Sequence, residues 1–372
     1  MDWPVLMVFF FGGLAVLLLL GLPVAFSFIL INVIGIYVFW GGLIGLEQLI
    51  LSIDSSISTF VLVPVPMFIL MGTVIFHSGI AYRMIDVLDE WLGQVVGRLA
   101  LLAIGAGSLF ATLTGVAMGS VAMLGSTLVP DMERRGYSKS MSIGPILASG
   151  SLAIMIPPSA LGVILASLGQ FSVGKLLVGI LLPGILLAVV YAAYIVIRCL
   201  IQPNLAPAYD VEPTPIWPRI NRTIRYVVPL VTIIVVVIGT IFFGIATPTE
   251  AAALGALFCF LLVAIYGKLN WEVVKKSVAA ATSISVMVFI ILTGSTAFSQ
   301  ILAFTGITVG ITELALVWSE HPIFVLLAMQ LILLLLGMFV EQTSIVMITT
   351  PMYFPIVSTF GWDPVWFGAL ML

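Results

Sequence analysis

Charge is what this chain has least of. Asp, Glu, Lys and Arg make up 8% of its 372 residues, and the formal net charge is −3. So few charges fit a membrane-resident chain; the net charge is too small to say anything about partners, and no nucleic-acid partner is expected. Its two cysteines, Cys199 and Cys259, stand at no metal or redox spacing and read as apolar packing residues. His77 and His321 have no neighbouring ligands at metal spacing. The opening Met1-Asp2-Trp3-Pro4 lacks the basic region and cleavage site of a secretory signal. A phosphate-binding loop of the Walker type is also missing, so no built-in ATP motor is expected.

What the chain has is hydrocarbon. Hydrophobic residues are 62% of the sequence and mean hydropathy is +1.29. Several runs are long enough to span about 30 Å of bilayer core, where only helices or a closed barrel satisfy the backbone. Runs such as Val227 to Phe243 do not alternate every second residue, so the expected class is an all-α membrane protein. Spans are predicted near 4–20, 22–40, 57–77, 141–168, 176–200, 226–243, 246–266 and 279–302, with another starting near Trp362.

Two further apolar stretches, about 98–134 and 320–358, are interrupted at their centres by Thr114 to Ser120 and by Gly337 to Ser344. Gly115 and Gly337 are 222 residues apart, as are Gly72 and Gly294. Read as re-entrant helical hairpins, these stretches put twelve of the thirteen basic residues on one side, Lys175 being the exception. The outer loops, near Glu47–Asp54 and Ile307–Glu320, then carry acids and no base, which is the positive-inside bias. The halves come out oppositely oriented. Residues 1–200 form a first inverted repeat, the proline-rich 201–223 a cytoplasmic linker, and 224–372 a second repeat expected to be incomplete at its C-terminal end. The counterpart of Pro157-Pro158 falls near 379–380, past Leu372.

Paired interruptions of this kind point to a transporter's binding site. Thr112, Thr114 and Ser120 flank Gly115 at the first tip, and freed carbonyls with hydroxyls make a hard oxygen site suited to Na⁺. Helix N-termini at the break favour an anion, although small residues also serve simply to pack membrane helices closely. The run Ser149-Gly150-Ser151 to Pro157-Pro158-Ser159 reads as an unwound helix meeting that tip, since two prolines remove two donors in mid-span. At the second tip Glu341 is a costly carboxylate beside Thr343 and Ser344; its open roles are to ligate a cation, to carry a proton or to brace the tip through its amides. Glu250 after Pro248 reads as a helix cap, and Arg83–Arg98 as an interfacial amphipathic helix.

The runs Val129-Pro-Asp-Met-Glu-Arg-Arg-Gly-Tyr137, Pro157-Pro158-Ser159, Gly244-Ile-Ala-Thr-Pro-Thr-Glu-Ala, Leu336-Gly-Met-Phe339 and Thr350-Pro351 occur in order almost from end to end. Together they resemble the large membrane subunit of tripartite ATP-independent periplasmic (TRAP) transporters. The resemblance implies a Na⁺-driven secondary importer in a bacterial inner membrane, built as an inverted-repeat elevator and surrounded by membrane lipid. It would act with a small four-helix membrane subunit and a periplasmic substrate-binding protein. The cargo would be an organic acid anion such as a C4-dicarboxylate, sialic acid or a similar sugar acid. It places one Na⁺ site at Thr114, Gly115 and the Ser149–Ser151 region, and an inverted partner near Gly337 and Thr343. Thr112, Ser120, Pro157, Pro158, Ser159 and Glu341 are the candidate substrate residues. No enzyme chemistry is expected. The alternatives are a stand-alone divalent-anion/Na⁺ symporter and a non-transporting membrane scaffold.

Overall fold

The computed structural model describes residues 3–93, 95–114, 117–207, 215–318, 320–338 and 340–372, and among these the regular elements are all helices. The chain begins with α1 (Trp3–Met7), a π-helical turn, and α2 (Gly13–Leu19), followed by α3 (Val24–Phe39), α4 (Leu43–Ile57) and α5 (Pro64–His77). Next come α6 (Ile80–Leu92), α7 (Arg98–Thr114), α8 (Ala117–Arg134), α9 (Lys139–Met155), α10 (Ala160–Leu168), α11 (Val173–Gly179) and α12 (Leu181–Ile201). The remainder holds α13 (Ile216–Tyr226), α14 (Val228–Phe242), α15 (Pro248–Ile265) and α16 (Trp271–Phe304), then α17 (Ile307–Leu316), α18 (Pro322–Gly337), α19 (Gln342–Thr359) and α20 (Pro364–Met371).

Local chemistry accounts for many of the boundaries. Proline occupies the first turn of α5, α14, α15, α18 and α20, where its missing N–H costs no helical bond. Thr247 and Glu250 form a reciprocal capping box at the start of α15, so Glu250 is the cap that its spacing predicted.

Among the described residues four segments, Phe60–His77, Val173–Ile201, Pro248–Ile265 and Trp271–Phe304, are long and apolar enough to cross a bilayer. Two bent pairs join them when each is taken as one span: α9 with α10, bent by 48°, and α13 with α14, bent by 41°. Apolar side chains are widely exposed, Leu19 at 82% and Ile265 at 78% among them, as lipid-facing surface requires. This is a multi-span membrane protein with broken helices.

The structure corrects several sequence boundaries. The predicted outer loops near Glu47–Asp54 and Ile307–Glu320 contain helices, α4 and α17, with Glu47, Asp54 and Glu313 exposed on them. Polar residues diluted the apolar pattern there without breaking the helix. The C-terminal part of the predicted linker is α13, a helix clasped to α6; residues 208–214 lie outside the described set. Trp91 donates Nε1–H to Thr223 Oγ1 at 2.7 Å, Arg83 donates to Tyr226 Oη at 2.9 Å, and Arg222 pairs with Glu90. The guanidinium of Arg219 lies 5.5 Å from the Trp91 ring centre. Nearby, the nearly buried Arg98, first residue of α7, is held bidentately by Asp89 at 2.6 and 2.7 Å.

The chain gathers into two compact units that do not follow its order. One comprises Met1–Leu62, Ile164–Ser172 and Ser283–Leu372, the other Val63–Val163 and Val173–Thr282. In the first unit Phe298 of α16 is ringed by Phe10, Phe11 and Phe28 at centroid distances of 6.1, 5.3 and 5.4 Å. In the second, Thr73 of α5 and Ser277 of α16 exchange hydroxyl-to-carbonyl bonds, both 3.2 Å. Cys199 and Cys259 are buried apolar packing residues.

Candidate functional site

Both interrupted stretches fold back on themselves. Gly107 and Leu124 are equidistant from the 115–116 connection, and a Cβ on Gly107 would lie 2.9 Å from Leu124 Cδ1. That contact is possible only if α7 and α8 run antiparallel as a hairpin. In the second stretch Met329 and Tyr353 are equidistant from Glu341, and the Tyr353 hydroxyl donates to the Met329 carbonyl at 2.9 Å. Here too the arms, α18 and α19, are antiparallel.

At the first hairpin, α9 packs between the two arms. Gly107 of α7 has no room for a side chain because Ser149 Cβ and Oγ occupy that space. Gly150, next in α9, faces the other arm, with its missing Cβ 2.5 Å from Val121 and 3.7 Å from Ala117 of α8. Small residues on both sides therefore let a hydroxyl-bearing turn of α9 reach the hairpin backbone.

The hydroxyls here share one habit. Thr112 donates to Ser108 O at 2.6 Å, Ser120 to Ala117 O at 2.9 Å, and Ser149 to Ile146 O at 2.7 Å. All three are buried. With each hydrogen spent on the residue's own helix, the oxygen presents only lone pairs outward, the polarity a hard cation requires. Thr114 is the last residue of α7, and Gly115 lies outside the described residues.

The structure separates two candidates that the sequence grouped. Ser149 faces the hairpin, whereas Ser151, about 200° further round the helix, bonds Ala148 O at 2.8 Å and lies 3.3 Å from Tyr191 Oη of α12. The broken helix itself is as the double proline predicted: α9 ends at Met155, and α10 restarts at Ala160. Pro157 and Pro158, joined by a cis peptide, withhold the donors that the carbonyls of Ala153 and Ile154 would take in a continuous helix. Their rings are buried and border a small apolar cavity with Leu177, Val237 and Ile241. Ser159 accepts the Gly162 N–H at 3.1 Å and so caps α10.

At the second tip Glu341 holds the position before α19 in an extended conformation (φ −69°, ψ 146°). Its carboxylate accepts the Thr343 hydroxyl at 2.7 Å and the Ser344 hydroxyl at 3.5 Å. The bracing partners are thus hydroxyls, where the sequence suggested tip amides. An anion is favoured there by the α19 N-terminus. Gly337 closes α18, and a Cβ there would make an ordinary contact with Ile345 Cδ1 at 3.9 Å. Behind the tip, Ser295 of α16 donates to Met347 O, and Thr350 to Val346 O at 2.5 Å. Sequence reasoning missed Ser295 and Tyr191. Ser295 lies in the polar cluster Thr293-Gly-Ser-Thr296 within α16 and Tyr191 in an otherwise apolar stretch of α12, polar groups within long apolar helices that would have flagged them. Among the described residues no three His, Cys, Asp or Glu side chains gather as a metal group.

The architecture is similar to that of the YdaH transporter of Alcanivorax borkumensis, with a TM-score of 0.62 over 88% of this chain and 76% of that one at 14% identity, a likeness of fold. In sequence the chain is 31% identical to the C4-dicarboxylate TRAP transporter large permease protein DctM of Rhodobacter capsulatus, over 97% of this chain and 84% of that protein. It is 30% identical to the ectoine TRAP transporter large permease protein TeaC of Halomonas elongata, over 95% and 82%. The sialic acid TRAP transporter large permease protein SiaM of Vibrio cholerae is 28% identical over 97% and 83%. Residues 11–372 match the family model described as the tripartite ATP-independent periplasmic transporter, DctM component. Folded-back hairpins, a proline-broken helix and that match together mean that the chain belongs to the DctM family, as the large permease component of a TRAP transporter and not an enzyme.

Proposed function

We propose that this chain imports a small organic acid anion across a bacterial inner membrane by Na⁺ symport, together with a small four-helix membrane subunit and a periplasmic binding protein. The observation that carries the reading is the seat of Ser149 against Gly107 of the first hairpin, its hydroxyl hydrogen, like those of Thr112 and Ser120, turned to its own helix and its oxygen left for a cation. One Na⁺ binds there with Thr114 and Gly115. A second binds at the other tip, near Gly337 and Thr343, whose hydroxyl lies beside the Glu341 carboxylate. Pro157, Pro158 and Ser159 are candidate substrate residues at the break after α9, and Glu341 is a separate candidate at the second tip.

The two halves work as inverted repeats, 1–200 and 224–372 joined by 201–223, and the hairpins with their broken helices move against a static remainder as an elevator. Support for the repeat comes from packing. Gly255 of α15 abuts Met71 of α5, and a shift of 222 carries this pair to within one residue of the bonded pair Gly294 and Asn32. C4-dicarboxylates and sialic acid, named in relatives, are the leading cargo classes. For a dicarboxylate, more than two Na⁺ must accompany each substrate if the membrane potential is to assist, each net charge being worth about 2.3 kcal/mol per 100 mV.

Uptake into proteoliposomes holding this chain and its partners tests the reading. Import should require external Na⁺ and the binding protein. Uptake undiminished when K⁺ replaces Na⁺ removes the coupling, and uptake without a binding protein favours the stand-alone symporter.

A further inference from the structure

The long helix α12 touches the first hairpin assembly at three points along one stripe. Gly184 meets the broken end of α9: a Cβ there would lie 2.7 Å from the Met155 carbonyl oxygen and 2.9 Å from Ile156 Cγ1. Tyr191, two turns on, places its hydroxyl 3.3 Å from Ser151 Oγ. Ile195 and Cys199 pack on Gly97, the residue before α7, whose missing Cβ would be 3.2 and 2.9 Å away. One face of one helix therefore contacts the broken end of α9, its serine-bearing turn, and the base of the hairpin into which that turn is packed.

The direction of the Tyr191–Ser151 bond follows from counting hydrogens. A serine hydroxyl has one, and that of Ser151 goes to Ala148 O at 2.8 Å. Tyr191 is therefore the donor. This bond ties α9 to α12 one residue beyond the Gly150 that packs on α8, and two beyond the Ser149 that packs on Gly107. The in-helix donors of Ala153 and Ile154 are missing just downstream, so the final turn of α9 is held less by its own ladder than a regular helix would be. An external tie has most effect on the backbone there.

We infer that Tyr191 is a positioning residue for cation binding at the first hairpin: by donating to Ser151 it holds the last turns of α9 so that Ser149 stays seated against Gly107. The inference rests on the proposed Na⁺ site and assigns Tyr191 no contact with the ion. A phenyl ring fills nearly the same volume, so loss of the hydroxyl can be separated from loss of packing.

The test is Na⁺-dependent uptake by the full transporter with Tyr191→Phe, Ser151→Ala and the double substitution. Tyr191→Phe should raise the Na⁺ concentration for half-maximal uptake at least threefold while the rate at saturating Na⁺ stays within twofold of wild type. Ser151→Ala should match it, and the double variant should be no worse than either, as expected for one shared bond. An unchanged or lowered Na⁺ requirement in Tyr191→Phe, or additive effects in the double variant, overturns the inference. Hydrogen exchange across 150–158 provides a readout independent of the ion. Faster exchange in Tyr191→Phe is expected, and equal exchange overturns the brace. If wild-type uptake ignores Na⁺, the coupling reading fails, and the exchange result alone decides the role of Tyr191.

Discussion

Asn32 of α3 donates its side-chain amide to the carbonyl oxygen of Gly294 in α16 at 2.7 Å, joining residues 262 apart in sequence. Phe28, one turn earlier, closes on Gly294 so tightly that a Cβ would stand 2.6 Å from its own. In the other compact unit Gly255 of α15 makes the equivalent approach to Met71 of α5. A helix from the first half of the chain thus pairs with one from the second half, twice, which is why the compact units interleave the sequence.

Gly294→Ala should therefore destabilise more than Asn32→Ala. The glycine change forces overpacking, costing about 1–3 kcal/mol. Removal of the amide loses one interhelical hydrogen bond, about 0.6 kcal/mol on average in membrane proteins. Melting midpoints of the two variants in detergent check the order, and the reverse order would contradict the packing.

Gly107→Ala should cut uptake by at least tenfold, because the added methyl displaces Ser149 from the first hairpin. Should Gly107→Ala transport normally, α9 is not held against the hairpin as described.

At the second tip, Thr343→Ser keeps a hydroxyl for Glu341 and should retain most activity, whereas Thr343→Val should lose it and weaken Na⁺ dependence several-fold. Glu341→Gln should do the same, by removing the negative charge while preserving size. Na⁺ titrations of uptake measure both, and equal behaviour of the Ser and Val variants would exclude a role for the hydroxyl.

Asp86 on α6 supplies a pH dependence. Partial burial, reinforced by Asp89 and Glu90 and opposed by Arg222, pushes its carboxyl above the usual range. The folded protein thus binds this proton more tightly than the unfolded chain. The associated stability is present at low pH and is lost as pH rises through the folded-state value. Asp86→Asn should accordingly raise the melting midpoint near neutral pH, with the gain shrinking towards about pH 4, where unfolded Asp is itself protonated. A gain that persists unchanged in acid would assign the effect to something other than charge.

Much of this protein was readable without coordinates because the signals are local. Membrane residence follows from composition, the break in α9 from two prolines lacking N–H groups, and the hairpin positions from polar tips inside apolar arms. Capping by Glu250 follows from its spacing to Thr247. The helical phase even separates Ser149 from Ser151, although grouping them by proximity in sequence hid it.

Other features depend on what lies across the packing interface, and no residue encodes that alone. That Gly107 is small because Ser149 fills its side-chain space, that Glu341 is braced by Thr343 and Ser344, and that Tyr191 reaches Ser151 are facts of approach between helices. So is the crossing of partners between chain halves. In a chain so uniformly apolar, hydropathy cannot choose among helix neighbours. Fit between small and large side chains, and a few buried hydrogen bonds such as Asn32 to Gly294, make that choice.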